Sequence, residues 1–425
     1  MTTWLNTYSA SIVLFMLAYL AGIQLIGNLP ALFIVLAVLI TFGGMLYKTG
    51  MALDAAIARI FLFVLAMLAF FLVKHFAVGG FDHALAAKIA LFHLVFMAGL
   101  MIGYYKRPGL ARMAPFYTIV LLAVPLAFFL LFAKGRPPSE ATFFFNRNTF
   151  AAFFIFISPL LLGFGSGRQL LSLRMYVLLV AIGLILISTM GAILAFVTAA
   201  LLYFGLQAPF NKRIMRSAAV IGLAAIVGFT YVVLDPNAFQ DVQAINRARF
   251  MVGLFSNIQA GYWGSWQQFD MATAVSFAPS GELDMSATFR FLHWADIFER
   301  IVLEGSSRLW TGGGTGWIEA NQHLFLYNLT AHSEYVRTIA EQGLLHAIII
   351  FGGIILIIFE LRRNPLFIPL FAGLIFFSTE SLFNDFVVTS VFFFVLGSSL
   401  ALERRRRLVR KDYKHPPFTS YAGAT

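Results

Sequence analysis

Residues 175–206 read MYVLLVAIGLILISTMGAILAFVTAALLYFGL. One bilayer span needs roughly 20 apolar residues at 1.5 Å rise per residue, so this run of about 32 is long for one span and short for two. Its middle carries the small, polar step Ser188-Thr189-Met190-Gly191, a turn signal inside an otherwise apolar stretch. Splitting the run there predicts two short helices, 175–188 and 190–206. The split decides the topology, because it sets whether the number of spans is odd or even.

Working outward, apolar runs of spanning length recur at 10–27, 30–47, 57–78, 85–104, 113–133, 148–167, 217–234, 336–359, 365–379 and 386–402. The composition agrees: 60% hydrophobic, 16% aromatic, 48 Phe and only 12% charged. A soluble domain carries roughly 25% charged residues. Mean hydropathy is +0.84. The runs are continuously apolar rather than alternating, which excludes a β-barrel. The expected fold is an all-α polytopic membrane protein with about 12 transmembrane helices. Residues 1–9 lack a charged leader region, so 10–27 reads as a retained first span.

With twelve spans, both termini share a side. On that side fall Lys48; Lys106, Arg107 and Arg112; Arg168 and Arg174; Lys212, Arg213 and Arg216; Arg362 and Arg363; and the tail Arg404-Arg405-Arg406-Arg407 with Arg410, Lys411 and Lys414. By the positive-inside rule this side is cytoplasmic. The net charge of +11 is thus explained by topology and not by nucleic-acid binding. There are no cysteines, which excludes disulfides, thiolate metal sites and cysteine nucleophiles. The expected organisation is helices 1–9 in residues 1–234, a large outer loop over 235–335, helices 10–12 in 336–403 and a basic tail over 404–425.

Two outer segments depart from the greasy background. The connection 134–147 carries Lys134, Arg136 and Arg147 against Glu140, an excess of cations on the wrong side for topology. The loop 235–335 is net acidic. Within it, 286–303 reads as an amphipathic helix, with Phe289, Trp294, Ile297, Phe298, Ile301 and Val302 at spacings of three to five and Ser286 placed to cap it. Such a helix is suited to lying on the outer leaflet. Arg290, His293 and Ile297 fall close to one face. Gly312-Gly313-Gly314-Thr315-Gly316 reads first as a flexible turn ending this region, with close backbone approach to a ligand or a fold-back of the next segment as the alternative; it is not a P-loop, since no Gly-Lys-Ser/Thr follows.

The return into the membrane is the richest stretch: Thr330-Ala331-His332-Ser333-Glu334-Tyr335, then Arg337, Glu341 and Gly343. Titratable groups beside lipid are costly, which marks them as functional. Arginine pairs with phosphate oxygens through its planar fork. A near-neutral imidazole takes a proton from a hydroxyl. The inventory suits an anionic lipid-linked substrate. Metal ligation has weak support, because His332 and Glu334, with His323 upstream, make no convincing ligand set.

The order Arg290-x-x-x-Trp294, then Thr311-Gly-Gly-Gly-Thr-Gly316, then His332-Ser333-x-Tyr335 leading to Glu341-x-Gly343-Leu344 resembles the O-antigen ligase and O-antigen polymerase superfamily of bacterial envelope glycosyltransferases. The likeness is concentrated in about 290–350, with weaker support from Asn146-Arg147-Asn148. It implies a GT-C-like glycosyltransferase of the bacterial inner membrane, with both termini cytoplasmic and the active site periplasmic. The donor would be a glycan on undecaprenyl diphosphate, the acceptor the lipid A core or another glycan, and no cofactor or metal would be required. His332 would be the general base. Arg290 would hold the diphosphate, with Arg147 and Arg136 as further cations and Trp294, Glu334, Tyr335, Arg337 and Glu341 as supporting residues. One departure stands out: where members of the superfamily often carry Ser-Arg-Gly, this chain has Thr189-Met190-Gly191. The ligase reading is preferred, with a repeat-unit polymerase as the alternative and a lipid-linked glycan transporter as the rival from another class. A transporter would place charge at mid-span, where Lys88 and His93 are the main exceptions in spans nearly free of it.

Overall fold

The computed structural model describes residues 55–105, 147–159, 172–187, 189–207, 286–325, 330–380 and 382–414. Among them there are helices and turns but no strand, so the fold is all-α. The α-helices are α1 (Ala55–Val78), α2 (His83–Tyr105), α3 (Arg147–Ile157), α4 (Leu173–Ile187), α5 (Met190–Gln207), α6 (Ser286–Leu303), α7 (Ser306–Thr311), α8 (Trp317–Ala320), α9 (Glu334–Gln342), α10 (Leu344–Glu360), α11 (Phe367–Phe376) and α12 (Phe386–Lys414). The predicted spans 10–27, 30–47, 113–133 and 217–234, like Arg136, lie outside the described residues.

The run that opened the sequence reading is two helices. α4 ends at Ile187 and α5 begins at Met190, with Thr189 buried between them. Two helices, over Ile57–Val78 and His83–Met101, are long and apolar enough to cross a membrane; Asn148–Ile157, Leu173–Leu184, Gly191–Gln207, Leu344–Glu360 and Phe367–Phe376 are shorter apolar helices. α1 leaves most of its apolar surface open: Phe63 is 53% exposed, Val73 68% and Phe76 72%. α3 is the opposite case, with every residue from Phe150 to Ile157 buried.

The closest helix pair is α2 with α12, and glycine makes it possible. Gly99 and Gly103 lie four residues apart, on one face of α2. A Cβ at Gly99 would sit 2.5 Å from the Phe394 carbonyl oxygen, one at Gly103 2.4 Å from that of Ser398, and one at Gly397 2.3 Å from that of Phe96. Small residues let backbones approach this closely. The rising pairs Phe92–Phe393 and Tyr104–Arg405 show that the two helices run parallel. α5 and α11 run antiparallel: Gly191 faces Phe376 and Thr379, while Gln207 donates to the Arg362 carbonyl at 2.6 Å.

These directions sort the bundle into two ends. One gathers the C-terminal ends of α2, α5 and α10 with the arginine run of α12, where Arg404 and Arg407 pair with Glu360. That helix continues without a break from the predicted span into the basic tail as far as Lys414. The other end gathers the N-termini of α3 and α9, the C-terminus of α11 and the helix α6.

Three expectations change at this second end. The predicted span 336–359 is broken into α9 and α10 at Gly343, whose φ is 86°. A Cβ there would lie 2.1 Å from the Trp310 carbonyl oxygen, so the break admits the backbone of α7. The Gly312–Gly316 stretch is no flexible turn. It is buried, with Gly313 N–H donating to the Ala340 carbonyl at 2.8 Å and Gly314 N–H to that of Glu341 at 2.9 Å. The Thr315 carbonyl accepts from Phe81 and Asp82 N–H, tying the outer loop to the α1–α2 turn. Finally, α6 spans 286–303 as expected and gives way at Gly305 to the short helix α7 before the glycine stretch is reached. Part of its apolar face is covered by protein: Ile297 and Ile301 are buried with Trp317, Ile318, Phe325, Val336 and Ala340, while Val302 and Leu303 are exposed.

Candidate functional site

His332 sits just outside α9 with φ 48°, the only non-glycine positive φ among the described residues. The left-handed region is sparsely populated by such residues and marks a turn that its surroundings hold in place. Two contacts do so. Ser333, extended at φ −158°, caps α9 by accepting from Val336 N–H at 3.4 Å, so the capping role falls to Ser333 and not to the histidine. On the other side, Trp294 Nε1 donates to the Ala331 carbonyl at 2.5 Å. Trp294 follows Arg290 by one helical turn, so this bond sets the face of α6 that bears Arg290 against the turn that bears His332.

Arg290 Nη2 pairs with Glu380 Oε1 at 3.0 Å, and Asn148 Nδ2 donates to the same oxygen at 2.5 Å. Three remote segments meet on this one atom: α6, the start of α3 and the connection after α11. Glu334 clips that connection in place. Its N–H donates to the Phe377 carbonyl at 2.8 Å and its Oε1 accepts from Phe383 N–H at 2.7 Å. Glu334 is fully buried, and Oε2 has no hydrogen-bond partner.

The electrostatics follow from burial and neighbours. Burial lowers the His332 imidazole to about 4, and its electrostatic coupling to Arg290, His293 and Arg337 pushes it the same way. It is therefore neutral at physiological pH and able to accept a proton. Burial raises the Glu334 carboxyl to about 7, against the Arg337 charge and the Phe383 N–H bond, both of which hold it down.

The remaining sequence-derived residues sort by position. Arg337 is 1% exposed and pairs with Glu319. Glu341 is equally buried, and its carbonyl accepts from Gly314. The Tyr335 hydroxyl donates to the Leu374 carbonyl at 2.7 Å while its ring packs on Phe351. These three anchor α9 and the loop beneath the site, and the Arg337 charge acts on both His332 and Glu334. Arg147 is the first residue of α3, next to Asn148, so its backbone borders the site. The Thr189-Met190-Gly191 step lies by Thr379, one residue from Glu380. No cluster of three potential metal ligands occurs among the described residues, and His323 is exposed in a short 3-10 turn away from His332.

Two site residues escaped the sequence reading. Glu380 stands in Ser378-Thr379-Glu380-Ser381, a polar break after an apolar run, and gives the same signal that drew attention to His332. Asn148 was passed over in favour of Arg147. Together these groups make a partly open guanidinium beside a neutral imidazole, with a carboxylate and an amide behind it. That arrangement can bind an oxyanion and take up a proton at the same place. No family model and no curated protein matches the chain.

Proposed function

We propose that this chain is a multi-pass glycosyltransferase of the bacterial inner membrane. About twelve transmembrane spans carry a periplasmic active site, and both termini are cytoplasmic. The donor is a glycan on undecaprenyl diphosphate and the acceptor is the lipid A core. The membrane reading draws support from α1, where Leu62, Phe63, Phe70, Val73 and Phe76 are exposed, and from the arginine-rich end opposite the site. The single observation that carries the activity is the Trp294–Ala331 bond, because it joins the Arg290 face to the His332 turn.

In the proposed reaction an acceptor hydroxyl oxygen attacks the anomeric carbon as the bond from that carbon to the phosphate oxygen breaks. The electron pair leaves on the lipid diphosphate, where Arg290 stabilises the growing charge. The hydroxyl proton passes to the neutral imidazole of His332. A diphosphate bound nearby adds negative charge and raises the proton affinity of that imidazole, so the donor itself readies the base. A single displacement inverts the anomeric centre.

The test is complementation of a deletion strain with wild type, His332→Ala and Arg290→Ala, with membrane insertion checked by immunoblot and surface polysaccharide read on a gel. The proposal expects long glycan to disappear from lipid A in both variants. Normal levels in either would sink the catalytic assignment. Unattached long chains in the deletion strain identify a ligase; single repeat units on the core identify a polymerase instead.

A further inference from the structure

The carboxylate of Glu380 occupies the place on Arg290 that an oxyanion ligand needs. It touches the guanidinium through one oxygen, Oε1, which also accepts from Asn148. Its side chain is 7% exposed and that of Arg290 is 20%, so the carboxylate is the deeper partner and the cation the more open one. Glu380 is also held from behind. Glu334, two residues after His332, fastens its connection at both Phe377 and Phe383. The carboxylate thus stays in reach of Asn148 whether or not Arg290 remains attached.

A guanidinium fork binds carboxylate and phosphate oxygens by the same geometry, and a phosphate or diphosphate offers more oxygens and more charge. A single-oxygen contact to one carboxylate is a weak competitor for such a ligand. We propose that Glu380 is a resident anion that holds Arg290 ready, competes with an incoming phosphate oxyanion and hands the guanidinium over when that oxyanion binds. The role rests on reading Arg290 as the phosphate-binding residue. It makes Glu380 a determinant of donor affinity, acting through Arg290, and it explains why a buried acid stands beside a site built for an anion.

The experiment titrates the purified full chain in lipid nanodiscs with inorganic diphosphate, reading binding by calorimetry, with total tryptophan emission as a second measurement. Glu380→Gln keeps an oxygen that accepts from Asn148 while removing the charge. It is expected to bind diphosphate roughly two- to fivefold more tightly than wild type, the scale of one competing charge at a partly exposed ion pair. Glu380→Ala should shift affinity the same way, and Arg290→Ala should abolish binding. Unchanged or weaker binding by the folded Gln and Ala variants, or no binding by wild type and Gln alike, overturns the handover. The glycan-transfer test above is separate. If transfer needs His332 and Arg290 while the Gln variant gains no affinity, the handover fails and the proposed activity stands.

Discussion

The two ends of the bundle each carry an arginine–glutamate pair at the same separation, and they differ in almost everything else. Arg290–Glu380 and Arg404–Glu360 both measure 3.0 Å. At the basic end, Glu360 is shared by Arg404 and Arg407, neighbouring turns of one helix, and Arg407 is half exposed. Such pairs add little to stability, because solvent screens them. At the other end the pair is knit to a third segment by Asn148, lies beside an imidazole held neutral, and rests on a buried carboxylate. An ion pair by itself says nothing about function. The convergence of remote segments around it does.

The sharpest way to break this contrast is to neutralise both ends. His332→Ala and Arg290→Ala are expected to lower glycan transfer by about 10²- to 10⁴-fold, the range for a lost general base or charge stabiliser. Arg404→Ala and Arg407→Ala should leave transfer within about twofold, since exposed pairs are worth roughly 0–1 kcal/mol. Comparable losses at the two ends, measured with an isolated donor in membranes, would falsify the assignment.

A second contrast lies in the glycines. Gly397→Leu drives a side chain into the Phe96 backbone and should cost at least about 1–3 kcal/mol, the usual range for overpacking. Gly352→Ala, with nothing within 4 Å of the added Cβ, should be neutral or gain about 0.5–1 kcal/mol in helix propensity. Thermal unfolding in detergent, followed by helix signal, checks both. Equal melting temperatures would mean that the α2–α12 seam is looser than its geometry indicates.

The pH dependence probes the site end alone. His332 is lowered to about 4 from the ordinary 6.5, so the unfolded chain binds more protons between those values. Its contribution to stability is complete above about 6.5 and is lost as pH falls towards 4. Glu334 acts oppositely: raised to about 7, it contributes fully below its ordinary 4.5 and loses that contribution as pH rises through 7. Replacing His332 by Asn should flatten the acid-side loss. For activity, kcat/KM should hold down to about pH 5 and fall near 4, and Arg290→Gln should move that limb upward by removing a cation. A wild-type acid limb at 6.5 would show that His332 is not in the environment described. The smallest effect is expected from Glu360→Gln, a melting shift of at most a few degrees, since the pair it breaks is partly exposed.

Much of the helical framework was legible because it is local. Ser188 to Gly191 interrupts an apolar run, and a helix end falls there. The periodicity of 286–303 marks α6 to the residue. His332 was legible for a different reason: a titratable group at the entrance to an apolar run is costly wherever the chain folds. The glycine stretch was misread because a glycine needed for flexibility and one needed for close approach look identical in sequence. Only the Glu341 and Asp82 backbones pressed against Gly312 and Gly316 tell them apart. Glu380 was missed because its partners are 90 and 232 residues away.

The sequence by itself therefore determined the all-α character, the places where several helices start and stop, and the imidazole and guanidinium worth watching. Each of these follows from side-chain polarity along a few turns of chain. The tertiary structure alone decided which groups meet: that Arg290 and Asn148 both bond the Glu380 carboxylate, that Arg337 reaches back to Glu319, and that the glycines are seams. Those outcomes depend on how closely backbones approach and on burial, which set both the contacts and the charge state of His332, and neither is written in any local stretch of residues.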